Sequence, residues 1–67
     1  MEPSSELTDR ERDVLKLLVQ GYTNPQIADQ LGITANTVKK HVDHILQKLQ
    51  VSTRAAAVAV AMRAERS

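Results

Sequence analysis

The stretch from Asn24 to Leu49, NPQIADQLGITANTVKKHVDHILQKL, reads as two short helices joined by a tight turn. Thr23 or Asn24 can cap the first of them, with Pro25 in its opening turn, where a missing amide costs no hydrogen bond. Ile27, Ala28 and Leu31 form its inner edge, and Gly32-Ile33-Thr34 closes it and caps the next helix within three residues. So brief a connection forces the helices to cross steeply. In the second helix Val38, Val42, Ile45, Leu46 and Leu49 fall within an arc of about 100° at 3.6 residues per turn, which makes that side the buried one. Asn36, Lys40, Asp43 and Gln47 occupy the opposite side, flanked by Lys39 on one edge and by Thr37, His44 and Lys48 on the other. A helix plugged into a core on one side and presented on the other, behind a short thin helix, is the construction of a helix-turn-helix. Its width is that of the major groove of duplex DNA.

The flanking segments supply two more helices. Thr8-Asp-Arg-Glu11 has the spacing of a capping box, so a helix begins near Asp9, buries Val14, Leu15, Leu17 and Leu18, and ends at Gly21. Ser52 caps a last helix whose Ala55, Val58, Ala61 and Met62 are expected to face inward. No strand pattern and no internal repeat is present. The expected fold is all-α: a small four-helix domain with helices at about 9–20, 24–31, 35–49 and 53–64, the second and third forming the helix-turn-helix. Residues 1–6 are linker-like, and residues 7–67 are expected to form the domain.

Composition narrows the function classes. With 67 residues there is one domain at most, and without Phe, Trp or Cys its core must come from Leu, Val, Ile, Ala and Met62, with Tyr22 the single aromatic residue. No disulfide or thiolate metal site can form within the chain. The net charge of +1 hides an asymmetry, because residues 1–33 carry six acidic and three basic side chains while residues 34–67 carry six basic and two acidic. The basic half holds the presented helix. No apolar run reaches the length of a membrane span and no charged-then-apolar leader opens the chain, so a cytoplasmic setting is expected.

Roles on the presented face follow from hydrogen-bond chemistry. Lys40, central and one turn into the helix, can donate to guanine O6 and N7; Lys39 can reach a base edge or a phosphate; Asn36 can bond adenine in bidentate fashion. Asp43 can accept from cytosine N4 but is repelled by phosphate, so it filters sequences rather than adding affinity. Asn24, Thr34 and Thr37 lie near helix N-termini, where phosphate is favoured; helix capping is their other use, the two can hold together, and Thr34 is read mainly as a cap. His44 and Lys48 on the helix flank, Gln47 on the presented side and Arg54 in the first turn of the last helix complete the expected backbone contacts. Arg54 has a second reading as the partner of an acidic residue of the first helix, and Tyr22 is read as a lid on the core or a phosphate contact.

Other chemistries find no support. His41 borders the apolar stripe and His44 lies about 60° away around the helix, with no further His or Cys to complete a metal shell. No glycine-rich phosphate loop and no nucleophile paired with a base is present, so neither an enzyme nor a cofactor or small-molecule ligand is expected. The last helix is apolar on its outer side too: Ala56, Ala59 and Val60, with Arg63 beside them, suit a weak symmetric helix-to-helix contact. A rival reading makes that strip the working surface of a protein-interaction module.

The ordered blocks LTDRERDVL, GYTNPQIADQLGI, TVKKHVDHILQKLQV and STRAAA, covering Leu7 to about Met62, resemble the LuxR type of bacterial DNA-binding domain, also called the GerE or NarL/FixJ type. The resemblance implies a transcription-factor domain whose third helix enters the major groove and whose fourth pairs two copies on a two-fold site. It implies contacts to bases or nearby backbone from Lys39, Lys40 and Asp43, and to phosphates from around Asn24, Thr34 and Thr37. It also implies a receiver or small-molecule-binding domain ahead of this one, and RNA polymerase as a further partner. Pro25 departs from the polar or basic residue frequent at its position, and Asp43 from the basic residue of several relatives, so no relative's target sequence transfers.

Overall fold

The Thr8 hydroxyl accepts from the Glu11 amide at 3.1 Å and the Glu11 carboxylate accepts from the Thr8 amide at 2.9 Å, closing the capping box that starts the first helix. This computed structural model describes residues 6–66, so the linker-like segment lies, except for Glu6, outside the described residues. Helix α1 spans Asp9–Val19, one residue shorter than the pattern predicts. Gly21, at φ 89°, takes the left-handed conformation, and the amides of Gly21 and Tyr22 return to the carbonyls of Leu18 and Leu17, each at 3.0 Å. This is the Schellman closure for which glycine is suited.

Helix α2 spans Asn24–Leu31. Thr23, not Asn24, is its cap, in a second capping box with Gln26. Gly32 at φ 68° ends it. Helix α3 spans Ala35–Leu49, with the Thr34 hydroxyl accepting from the Thr37 amide at 3.2 Å. It ends on Gln50, held at φ 59°, while the Val51 amide reaches back to the Leu46 carbonyl at 3.0 Å. A side chain in that region is costly, so the closure of α3 is strained where those of α1 and α2 are not.

Helix α4 spans Arg54–Arg66 and corrects the sequence reading in two ways. Its cap is Thr53 rather than Ser52: the Ala56 amide donates to the Thr53 hydroxyl, and the Ala57 amide to the Thr53 carbonyl, both at 3.1 Å. The face also differs. Ala57 is fully buried, whereas Ala55 is exposed and Met62 is 46% exposed; Val58 and Ala61 do pack on the core. Every position from Ala55 to Met62 is apolar, so periodicity marks no single stripe there.

The core joins Leu7, Val14, Leu15 and Leu18 to Ile27 and Ala28 of α2, to Val38, Val42, Ile45 and Leu49 of α3, and to Ala57. Leu46 packs at its margin, half-buried. Helix α2 rests mainly on α3, and α1 on both α3 and α4. An eight-residue helix is unstable alone, so α2 keeps its shape by burying Ile27 and Ala28. That packing fixes α3 with its other side turned outward. Among the described residues there is no strand, and no helix is long and apolar enough to cross a membrane.

Candidate nucleic-acid interface

Asn36, Lys39, Lys40, Asp43 and Gln47 are all exposed on α3, opposite the buried Val38, Val42, Ile45 and Leu49. Their side chains make no hydrogen bond or ion pair among the described residues, so their donors and acceptors are open. Two ammonium groups, two amides and one carboxylate thus share one helical face, a mixture able to discriminate base edges. At the head of α3 the hydroxyls of Thr34 and Thr37 lie 2.9 Å apart and the helix's first amides are close by. The Thr34 hydroxyl thus caps α3, and the two hydroxyls engage each other.

The flank of α3 is engaged differently. Lys48 is half-buried and its ammonium lies 2.6 Å from Oε1 of Glu11, a carboxylate whose side chain is 5% exposed. His44 is exposed, with Nδ1 3.8 Å from Oε2 of the same Glu11. Burial pushes the Glu11 carboxyl upward, but the hydrogen bond and charge of Lys48 together with the bonds from Thr8 outweigh it, leaving the group below its ordinary value. Sequence reasoning found Glu11 as half of a capping box and missed it as a buried anchor. The signal was present, since Glu11 lies in line with Val14, Leu15 and Leu18 at spacings of three, four and seven.

Arg54 pairs with no acidic residue of α1. It reaches instead to the start of α2, donating to Asn24 Oδ1 at 2.6 Å and to the Tyr22 carbonyl. Tyr22 itself is half-buried and packs at the edge of the core, as a lid would. His41 is half-buried, and among the described residues no cluster of three or more His, Cys, Asp or Glu can hold a metal. On α4, Ala59 and Arg63 are exposed, while Ala56 is half-buried and Val60 packs against the core. The outer strip is therefore centred on Ala55, Ala59, Met62 and Arg63, with Ala56 and Val60 at its margin.

The family described as bacterial regulatory proteins, luxR family, matches residues 5–61. The chain is similar to the nitrate/nitrite response regulator protein NarL of Escherichia coli (strain K12), 52% identical over 50 residues, which are 75% of this chain and 23% of that protein. It is similar also to the transcriptional regulatory protein LiaR of Bacillus subtilis (strain 168), 46% identical over 61 residues, covering 91% of this chain and 29% of that one. Among solved structures, transcription factor GerE superposes with a TM-score of 0.80 at 41% identity over 88% of both chains. The response regulator StyR does so with a TM-score of 0.86 at 44% identity, covering 91% of this chain and 31% of its own. This chain spans about a quarter of the length of the two curated relatives named. Four helices in this order, a helix-turn-helix with an open polar face, and these matches agree: the chain belongs to the luxR family of bacterial regulatory proteins, as a DNA-binding domain of transcription regulators.

Proposed function

We propose that this domain binds double-stranded DNA in a sequence-specific manner to regulate transcription, with α3 in the major groove and two copies related by a two-fold axis through α4. The observation that carries this reading is the outward face of α3: five polar side chains, none engaged by another of the described residues, on a helix locked to the core by its other side. Lys39, Lys40, Asn36 and Asp43 are assigned to bases, and Asn24, Thr34, Thr37, His44 and Gln47 to phosphates. Lys48 and Arg54, expected at phosphates, have partners inside the protein and are assigned to holding α3 and α2 in place. For pairing, Ala59, Arg63 and Ala56 are retained and Met62 is added, since an exposed methionine beside alanines offers a flexible apolar side chain that adapts to the facing surface.

Titration of a labelled random-sequence duplex against the domain at low salt tests the binding class. Micromolar binding that weakens steeply as salt rises is expected, because phosphate contacts release counterions. Absence of binding at tens of micromolar, on the order of the weakest non-specific affinities, would favour the protein-interaction reading of the outer α4 strip.

A further inference from the structure

Arg54 lies in the first turn of α4, yet its guanidinium is spent on the start of α2, a helix that packs mainly on α3. Arginine only donates, so the atom of Asn24 that faces it must be the amide oxygen, whichever way the amide would otherwise turn. The amide nitrogen is thereby directed away from Arg54. Asn24 Nδ2 has no partner among the described residues, and no buried side-chain nitrogen or oxygen lacks one, so this nitrogen is open to solvent. The same guanidinium binds the Tyr22 carbonyl and so fixes the backbone immediately before the Thr23 cap.

We infer that Arg54 is a positioning residue for DNA binding: it orients the Asn24 amide so that two N–H donors face the nucleic acid, and it acts through Asn24 rather than through its own charge. The inference rests on the reading of this domain as DNA-binding. It separates two possibilities that composition alone merges, since an arginine near a phosphate is ordinarily counted as a charge contact. A charge contact needs only a cation, whereas this arrangement needs one N–H at the Asn24 amide oxygen and another at the Tyr22 carbonyl, held apart in the fixed fork of a guanidinium that the single ammonium of lysine does not reproduce.

The test uses the 67-residue chain, its Arg54→Lys, Arg54→Gln and Asn24→Ala variants, and the two double variants, titrated with a labelled duplex over a range of salt. Helicity is followed in each by circular dichroism. Arg54→Lys and Arg54→Gln should both weaken binding, by roughly threefold to tenfold, the worth of one good hydrogen bond. Their logarithmic salt slopes should match the parent's, and neither should weaken binding further in the Asn24→Ala background. The side-chain amide resonances of Asn24 should move in the free Arg54→Lys protein. Parent-like affinity of Arg54→Lys, a slope reduced by about 0.9 in Arg54→Gln, as for one lost phosphate contact, or independent losses in the double variants would each overturn the inference. Failure of the parent itself to bind duplex would overturn the DNA reading beneath it, and is told apart because no variant is needed to see it.

Discussion

The Lys48 ammonium, in the last turn of α3, stands 2.6 Å from the carboxylate of Glu11, in the first turn of α1, and that carboxylate also accepts the Thr8 amide. One buried acid thus starts α1 and anchors the far end of the helix whose outer face is offered to DNA.

Removing the lysine leaves the acid buried without its cation. Lys48→Met should lower stability by about 1 to 3 kcal/mol, because loss of one partner leaves the other uncompensated. Double replacement, Glu11→Leu with Lys48→Met, should recover part of the loss, since an apolar pair of similar volume carries no desolvation cost. Thermal or denaturant unfolding of the two variants measures both effects.

The same anchor makes stability depend on pH. The Glu11 carboxyl titrates below its ordinary value in the folded protein, so its contribution is complete above the unfolded value of about 4.3 and is lost as pH falls through the lower folded value. The melting temperature of the parent should therefore drop between about pH 5 and pH 3 by more than that of Glu11→Gln, which has no such proton to gain. Equal drops would mean that the acid sensitivity comes from other carboxylates.

The end of α3 carries removable strain. Gln50 sits at φ 59°, exposed, and its side chain makes no hydrogen bond or ion pair among the described residues. Gln50→Gly should stabilise the domain by about 0.5 to 1 kcal/mol, the relief of the left-handed conformation less the added freedom of glycine in the unfolded chain. Equilibrium unfolding in urea reads the change.

All four helices were legible in the sequence, the first three most sharply because each carries its own punctuation: Thr8 with Glu11, Gly21, Pro25 and Gly32 are local signals, and local signals suffice to bound a helix. The face of α3 was legible for a similar reason, since a 3.6-residue period divides Val38, Val42 and Ile45 from Lys40 and Asp43 without reference to the rest of the chain. The face of α4 was not, although the helix itself was, because a segment rich in alanine and valine has no polar side to set its rotation. Lys48 read as a phosphate contact, and Arg54 as a phosphate contact or the partner of an acid in the first helix, because their actual partners lie 37 and 30 residues away, a distance at which only the folded chain brings groups together.

The corrected rotation of α4 has a direct check. Ala57 is fully buried, so Ala57→Leu should overpack the core and cost about 1 to 3 kcal/mol, whereas Ala55→Leu, on the exposed side, should change stability by less than about 0.5 kcal/mol. The reverse order would restore the rotation expected from the sequence.

The central claim is that α3 reads base pairs from its outer face, and selection of bound duplexes from a random pool tests it most directly, carried out in parallel with the parent and with Lys40→Ala. Lys40 is exposed and has no hydrogen-bond or ion-pair partner among the described residues, so its loss should leave the fold intact. The parent should enrich one short sequence, arranged as an inverted repeat if two copies bind together. Lys40→Ala should lose preference at one position of each half-site, by roughly 1 to 3 kcal/mol. Enrichment of the same sequence to the same degree by both proteins would show that the reading face lies elsewhere.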